Sequence, residues 1–260
     1  ILYSSNMYGD EIYLCNKALA QLKLHGFTQS LDSNIDAVYS GEINFEEAMI
    51  DACKTELLTR ARKLTERLIR NAHLRYPHAC IDEIKFDIER RGLSKQFVNR
   101  FSECTWINLH KNMSIQGPTG VGKTWLACAF ATEACKKGYK TIFYRASEFF
   151  EALEQAIDQS NEKLFIKKLI RYDLLIIDDF GLSNIPPKIE TLLLEFIDNY
   201  SICGSLLITS QFTYDLWHTK FQDPTIADAI LDRIIHNSYT LEIDGDSVRK
   251  TVMLDTTTTL

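Results

Sequence analysis

The sequence lacks several features that would assign the protein to a common class. Its 260 residues contain no stretch approaching the roughly 20 consecutive apolar residues that span a bilayer. The N-terminus shows no basic segment followed by an apolar run, so we expect no secretory signal. The seven cysteines are scattered without a CxxC pair, which argues against a disulfide framework and a zinc site. These absences favour a cytoplasmic protein with reduced thiols and no membrane association.

An overall excess of positive charge is also missing. The net charge is −6, which is unusual for a protein that binds nucleic acid. The distribution of charge matters more than its sum, however. Between Lys54 and Arg75 the chain carries seven basic residues and only two acidic ones. The acidic total therefore does not exclude DNA as a partner.

What the sequence does contain is a complete nucleotide-binding loop. Residues 117–124 fit the pattern GxxxxGK[ST], with an apolar strand before them and a helix-forming segment after them. Such a loop points successive N–H groups at an anion, and the helix N-terminus adds its dipole. We expect Lys123 to contact the β- and γ-phosphates of ATP and Thr124 to bind Mg²⁺. The predicted ATP-binding residues of this segment are Gly117, Pro118, Thr119, Gly120, Val121, Gly122, Lys123, Thr124 and Trp125.

Two strand ends downstream provide candidate catalytic residues. One of them follows the apolar residues 174–177 and consists of Asp178 and Asp179. We predict that Asp178 holds Mg²⁺ and that Asp179 orients or deprotonates the attacking water. Asp is shorter than the Glu that is more common in this role, so we expect slow or partner-dependent hydrolysis. The second strand ends in Ser210 and Gln211, and Gln211, or else Ser210, is the candidate γ-phosphate sensor. A strand-capping role is the alternative for both.

The order of elements predicts an α/β fold. Short apolar strands alternate with helices in the second half, which indicates a parallel five-stranded sheet covered on both faces. The predicted strands are 113–116, 141–145, 174–178, 205–210 and 239–243, and the predicted helices between them are 123–137, 147–157, 163–171, 188–202 and 225–236. The pattern of the first half predicts three helices, at 10–24, 30–39 and 45–74. Gly26 would end the first helix, and a capping box at Asn44 would begin the third.

Motifs along almost the whole chain, from about residue 17 to 250, resemble the IstB-like transposition helpers of the AAA+ ATPases. The segments that carry the resemblance are 23–26, 72–84, 91–93, 106–107, 117–129, 178–182, 209–211, 217–233 and 245–250. The resemblance implies an AAA+ P-loop NTPase core with a small all-helical N-terminal domain before it. The 27 residues after Arg233 are too few for the usual helical lid of such proteins, so we expect the C-terminal lid to be absent or minimal. Helicase loaders of the DnaC type share the ATPase core but resemble the N-terminal half less closely.

The resemblance implies a Mg²⁺-dependent ATPase encoded beside an insertion-sequence transposase. Such helpers self-associate on double-stranded DNA when ATP is bound, deform the duplex and recruit the transposase. In this chain Arg233 is the residue that the resemblance assigns to a neighbouring subunit's γ-phosphate, although a surface salt bridge is the usual role of such an arginine. Ile84 and Phe86 are assigned to the border of the adenine. Arg249 is a candidate phosphate contact, and a plain surface role is equally open.

Two basic segments are the candidate DNA contacts. One lies in residues 1–78, which we predict to be a DNA-binding and oligomerisation domain, and the other lies in the predicted ATPase domain, residues 79–260. Neither segment contains a base-reading motif, so we expect backbone contacts with little sequence preference. A solvated basic helix face is the alternative for each segment. The candidate residues are Arg60, Arg62, Lys63, Arg67, Arg70 and Arg75 in the first segment and Lys163, Lys167, Lys168 and Arg171 in the second.

Three functions fit an ATP-binding protein of this kind. The leading hypothesis is an ATP-dependent transposition helper, and the first alternative is a helicase loader that uses the same core. A metabolic kinase is the second alternative. The adjacent carboxylates Asp178 and Asp179 and the helix that carries Arg233 speak against a kinase.

Overall fold

The structure is a computed structural model and describes residues 14–84, 86 and 92–245. The chain divides into two compact units, residues 1–66 and 67–260, and the division falls inside a long helix. The second unit contains the sheet and begins at Arg67, and the predicted ATPase domain begins at residue 79. The functional division into a DNA-binding and an ATPase domain stays a prediction.

The first unit is helical. Helix α1 covers residues 14–21, α2 covers His25–Ser40, and α3 covers Phe45–Asn71 and crosses into the second unit. The predicted capping box opens α3, because Asn44 Oδ1 accepts the Glu47 N–H at 2.8 Å and Glu47 Oε2 accepts the Asn44 N–H at 3.2 Å. This prediction is confirmed.

A buried glutamate joins α2 to α3. Glu56 Oε2 accepts the N–H groups of Gly26 at 2.7 Å and Phe27 at 3.1 Å, so a carboxylate lies at the N-terminus of α2. The hydrogen bond from Arg60 holds the pKa of Glu56 below its ordinary value. A Cβ on Gly26 would lie 2.5 Å from Thr59 Oγ1. The prediction that Gly26 ends a helix is wrong, because this glycine lies in the first turn of α2 and lets α3 approach closely.

The second unit is built on a parallel sheet of five strands in the order β2-β3-β4-β1-β5. The strands are β1 (Asn112–Gln116), β2 (Thr141–Arg145), β3 (Leu174–Phe180), β4 (Ser205–Ser210) and β5 (Ser238–Glu242). Alternate residues of the strands pack into two separate apolar clusters, one on each face of the sheet. In β3, for example, Ile176 belongs to one cluster and Ile177 to the other. The predicted five-stranded parallel sheet is confirmed.

Helices cover both faces of this sheet. Those that the sequence pattern predicts are α6 (Lys123–Lys136), α7 (Ala146–Asp158), α8 (Glu162–Leu169), α9 (Pro187–Tyr200) and α11 (Pro224–Ile235). Those that it does not predict are short, namely a 3₁₀ turn (Ile81–Glu83), α4 (Lys95–Ser102), α5 (Thr105–Asn108) and α10 (Tyr214–His218). A helix of one or two turns offers too few apolar positions for its period to be read.

The end of α3 and the segment after it belong to the core of the second unit. Leu68, Ala72, Leu74 and Ala79 are buried in the cluster that contains α6. The Ala72 carbonyl accepts the N–H of Phe143 at 2.9 Å, so this segment continues the hydrogen bonding of edge strand β2. No helix in the described part of the chain is both long and apolar enough to cross a membrane. The prediction of an absent or minimal lid concerns the residues after Arg233, of which 246–260, including Arg249, lie outside the described residues.

Candidate nucleotide-binding site

The predicted phosphate loop connects the carboxyl end of β1 to the N-terminus of α6. Gly117, Gly120 and Gly122 all have positive φ angles, of 151°, 94° and 93°. A Cβ on Gly117 would lie 2.0 Å from the Ile243 carbonyl oxygen, so only glycine fits where the loop passes β5. Because α6 begins at Lys123, the loop leads directly into a helix N-terminus, which favours a bound anion.

Lys123 is held at the mouth of this loop. Its side chain is largely buried, and Nζ donates to the carbonyl oxygens of Gly117 and Pro118, both at 2.8 Å. A buried ammonium requires such partners, because an unpaired charge is costly away from water. The contacts keep the cation at the position that a phosphate approaches.

Asp178 is the centre of the polar network. Its Oδ1 accepts the hydroxyls of Thr124 at 2.8 Å and Thr209 at 2.6 Å. Its side chain is fully buried, and this burial raises the pKa of Asp178 against the opposing effect of the two hydrogen bonds. Arg75 Nη1 lies 3.8 Å from Oδ2. Asp178 thus joins α6, β4 and the segment after α3 at one point.

The donor set fits Mg²⁺. Asp178 Oδ2 is buried without a hydrogen-bond partner, and the Thr124 hydroxyl adjoins the same carboxylate. Hard oxygen ligands are those that Mg²⁺ prefers, and this ion usually takes one or two carboxylates and completes its shell with phosphates and water. Residues 14–84, 86 and 92–245 hold no group of three His, Cys, Asp or Glu that could bind a metal unaided. The oxygens of Asp178 and Thr124 could hold a metal whose remaining ligands come from nucleotide phosphates and water.

Asp179 adopts an unusual backbone conformation beside Asp178. Its φ angle is +60°, and its N–H donates to Thr209 Oγ1 at 3.0 Å. The pairing of β3 with β4 shifts register between Ile177 and Phe180, so Asp179 departs from the alternation of the strand. A non-glycine residue in this conformation is held there by its surroundings, here by the hydrogen bond to Thr209. The predicted role of Asp179 toward water stays a prediction.

The end of β4 separates the two candidate sensors. Gln211 Oε1 accepts the hydroxyl of Thr119 in the phosphate loop at 2.6 Å, because β4 and β1 are neighbouring strands. Ser210 is fully buried, donates to the Phe180 carbonyl at 2.7 Å and accepts the Trp217 indole N–H at 2.8 Å. These contacts fit the strand-capping alternative for Ser210, and its candidate role as a phosphate sensor stays a prediction. Gln211 is the residue that reaches the loop.

The remaining predicted ATP-site residues lie in diverse surroundings. Ile84 is buried in the core cluster, Phe86 is about 40% exposed, and Trp125 packs against the cluster. Arg233 on α11 forms an ion pair with Asp198. Its side chain is 39% exposed and so remains accessible from outside the protomer.

The predicted DNA contacts differ in whether their charges are already paired. Arg60 pairs with Glu56 and Arg62 with Glu66, each one turn along α3. Lys63, Arg67 and Arg70 are exposed without an ion pair among the described residues. Arg75 faces Asp178, which separates it in role from the other cations.

The cations of α8 form an exposed face. Lys163, Lys167 and Lys168 are exposed, whereas Ile166 and Leu169 on the opposite side are buried. Arg171 is also exposed but lies beyond the end of the helix at Leu169, so the predicted helix over 163–171 is too long. No ion pair found in the described part of the chain involves these four cations.

Comparison with known proteins identifies the family. The profile of the family described as IstB-like ATP binding protein matches residues 17–255. The chain belongs to this family. Among its relatives, the insertion sequence ATP-binding protein y4uH of Sinorhizobium fredii is 35% identical over 232 residues, which are 89% of this chain and 93% of that protein. The resemblance predicted from the sequence motifs is confirmed.

Solved structures share the fold. The crystal structure of DnaI has a TM-score of 0.54 at 17% identity and covers 68% of this chain and 93% of that chain. The crystal structure of the DnaC helicase loader has a TM-score of 0.53 at 18% identity. The match covers 65% of this chain and 98% of that chain. At such identities the likeness concerns the fold alone, and it supports the predicted α/β fold with a parallel five-stranded sheet.

Two residues of this IstB-like protein have contacts that sequence reasoning did not anticipate. The Thr209 hydroxyl donates to Asp178 and accepts the N–H of Asp179. The feature of the sequence that could have indicated this role is the position of Thr209 among the polar residues at the end of an apolar strand. Arg75 was grouped with the basic helix because of its charge, and nothing in the sequence pattern places it beside Asp178. Such a contact depends on tertiary structure.

Proposed function

We propose that this protein is an ATP-dependent transposition helper that assembles on double-stranded DNA, deforms the duplex and recruits the transposase of its insertion sequence. The supporting observation is the convergence of Lys123, Thr124 and Asp178 at a phosphate loop, in a chain whose relatives are named insertion sequence ATP-binding proteins. We place this activity in the cytoplasm, where ATP and DNA are both available.

Nucleotide binding follows from the loop geometry. The N–H groups of 117–122 and the N-terminus of α6 receive the phosphates, and Lys123 adds a positive charge at the same place. Thr124 and Asp178 would hold Mg²⁺, which, when bound, neutralises charge on the phosphates. Asp179 orients the attacking water or accepts its proton, and Gln211 senses the γ-phosphate from the neighbouring strand.

Hydrolysis in this account requires a second copy of the chain. Arg233 leaves its ion pair with Asp198 and reaches the γ-phosphate of an adjoining protomer, where such arginines accelerate reactions by ~10³–10⁵. Because the ion pair is partly exposed, breaking it costs little. ATP turnover is therefore linked to assembly into a homo-oligomer.

DNA binding is assigned first to the exposed face of α8. Its three lysines, and Arg171 just beyond the helix, have no acidic partner among the described residues, so they are available to phosphates without breaking an ion pair. Lys63, Arg67 and Arg70 of α3 are the second candidates. Bending 20–30 base pairs costs of order 1–6 kcal/mol, so repeated contacts from several protomers are needed to offset it.

The test uses Lys123→Ala. The variant is expected to lose ATP-dependent assembly on duplex DNA, measured by sedimentation with and without ATP. Lys137→Ala is the matched control, because Lys137 pairs with Glu103 on the surface and is not part of the phosphate site. Unchanged assembly of Lys123→Ala with ATP would refute the proposal.

Helicase loading is the alternative, supported by the fold shared with the DnaC helicase loader. It predicts that the purified protein captures a hexameric helicase and does not bind the transposase. Binding of the transposase in the same pull-down, with no helicase retained, supports the transposition helper instead.

A further inference from the structure

One atom in the nucleotide site has an unsatisfied hydrogen-bonding capacity. Among the described residues, Asp178 Oδ2 is the only buried side-chain nitrogen or oxygen without a hydrogen-bond partner. A buried carboxylate oxygen in this condition is costly and calls for an explanation, such as an ion that binds there. The other oxygen of the same carboxylate is fully engaged by two threonines.

Arg75 is the cation that faces this oxygen. Its Nη1 lies 3.8 Å from Oδ2, which is too long for a hydrogen bond, so the guanidinium acts on the carboxylate through its charge. The ring of Tyr76 lies 5.6 Å from the guanidinium carbon and restrains it. The Arg75 side chain is 32% exposed, so part of it is in contact with solvent.

The backbone around Arg75 is fixed in the core of its unit. Leu74 is buried, and the Ala72 carbonyl bonds to the N–H of Phe143 in β2. Neither Arg75 nor Tyr76 lies on the exposed run of α3, which ends at Asn71. The position of the guanidinium is therefore set by the ATPase unit itself.

We propose that Arg75 is a positioning residue for the metal site, holding the Asp178 carboxylate as a counter-ion until Mg²⁺ with nucleotide takes over that oxygen. This inference rests on the proposed function. The guanidinium and the metal are both cations directed at one carboxylate, so they repel each other. Arg75 accordingly sets the Mg²⁺ concentration at which the site fills.

Two other roles for Arg75 make different predictions. An arginine that contacts a nucleotide phosphate directly would strengthen ATP binding with and without Mg²⁺. An arginine that only stabilises the fold would change the melting temperature and leave the Mg²⁺ dependence unaltered.

The experiment measures binding of a fluorescent ATP analogue as Mg²⁺ is titrated, together with binding in EDTA. Arg75→Met removes the charge and keeps much of the side-chain length, and Arg75→Lys keeps the charge. Arg100→Met is the matched control, because Arg100 lies over the rings of Phe101 and Tyr239 and not beside the site carboxylate.

The Mg²⁺ midpoint of Arg75→Met is expected to fall about fivefold, the scale of a partly exposed ion pair. Its affinity in EDTA should stay within about twofold of wild type on the same scale. Arg75→Lys should restore the midpoint, and Arg100→Met should not move it.

An unchanged midpoint in Arg75→Met overturns the inference, as does an equal loss of affinity with and without Mg²⁺. Wild-type binding that ignores Mg²⁺ altogether contradicts the proposed metal-dependent function as well as this inference. That result is visible before any variant is made, so the two failures are distinguishable.

Discussion

Charged side chains are buried and hydrogen-bonded at the nucleotide site, whereas those on the exposed face of α8 are open to solvent. At the nucleotide site Lys123 and Asp178 are buried. Carbonyl groups of the loop hold Lys123 in place, and threonines of α6 and β4 hold Asp178. On α8 the cations Lys163, Lys167 and Lys168 are exposed and have no acidic partner in the described chain. The first arrangement suits one ligand in one geometry. The second suits a polyanion contacted by many weak and interchangeable interactions.

The difference predicts how each region responds to mutation. A buried, connected network loses function when one member is removed, because the remaining groups are left unpaired or misplaced. A solvated cationic face loses affinity in small and roughly equal steps.

The largest effect is expected for Asp178→Asn. The amide keeps the shape but cannot hold Mg²⁺ as a carboxylate does, so steady-state ATP hydrolysis should fall by about 10²-fold or more. Nucleotide binding in EDTA should persist. Hydrolysis near the wild-type rate would show that this carboxylate is not the metal ligand.

Thr209→Val should have the next largest effect. The change removes the hydroxyl that bonds to Asp178 and accepts the Asp179 N–H, and we expect about tenfold slower hydrolysis and a loss of ~1–2 kcal/mol in unfolding free energy. Thr132→Val is the control, because its buried hydroxyl bonds only to the Cys128 carbonyl. Equal slowing by both variants would mean that stability alone is responsible.

A smaller effect is expected on α8. The double variant Lys167→Ala/Lys168→Ala should weaken duplex binding about tenfold and reduce the slope of log affinity against log salt by about two. Lys137→Ala/Lys188→Ala removes two cations that are already paired with acids and serves as the control. Equal losses in both doubles, measured by fluorescence anisotropy, would remove the distinction between paired and unpaired cations.

The smallest effect comes from releasing a paired cation. Glu66→Gln frees Arg62 from its exposed ion pair, and duplex affinity at low salt should rise by no more than about twofold. Glu133→Gln frees Lys136 in the ATPase unit and removes the same charge. A rise that is equal in both variants reflects net charge and not the position of Arg62.

Much of the nucleotide site could be predicted from the sequence because its parts are local. The glycine pattern before Lys123 and the apolar strand before Asp178 are each contained in a few consecutive residues. The parallel sheet then brings strand ends to one edge, so that Gln211 meets the loop. The phosphate-loop motif and the alternation of apolar strands with helices are sufficient to predict these features.

The rest depended on contacts between distant segments. The sequence pattern indicates a helix end at Gly26, whereas this glycine lets α3 pack closely against α2. Arg75 was grouped with DNA contacts by its charge, although it faces Asp178. Ser210 and Gln211 are adjacent and both polar, and only the burial of Ser210 against Trp217 distinguishes them. None of these contacts leaves a periodic signal in the chain.

The most direct test of the account is the rate of ATP hydrolysis per protomer, measured across protein concentrations with and without duplex DNA. If hydrolysis requires Arg233 from a neighbouring protomer, the rate should rise steeply with concentration, rise further with DNA, and fall to the basal level in Arg233→Ala. A constant rate per protomer at the lowest concentrations, indifferent to DNA and to Arg233, would contradict the account.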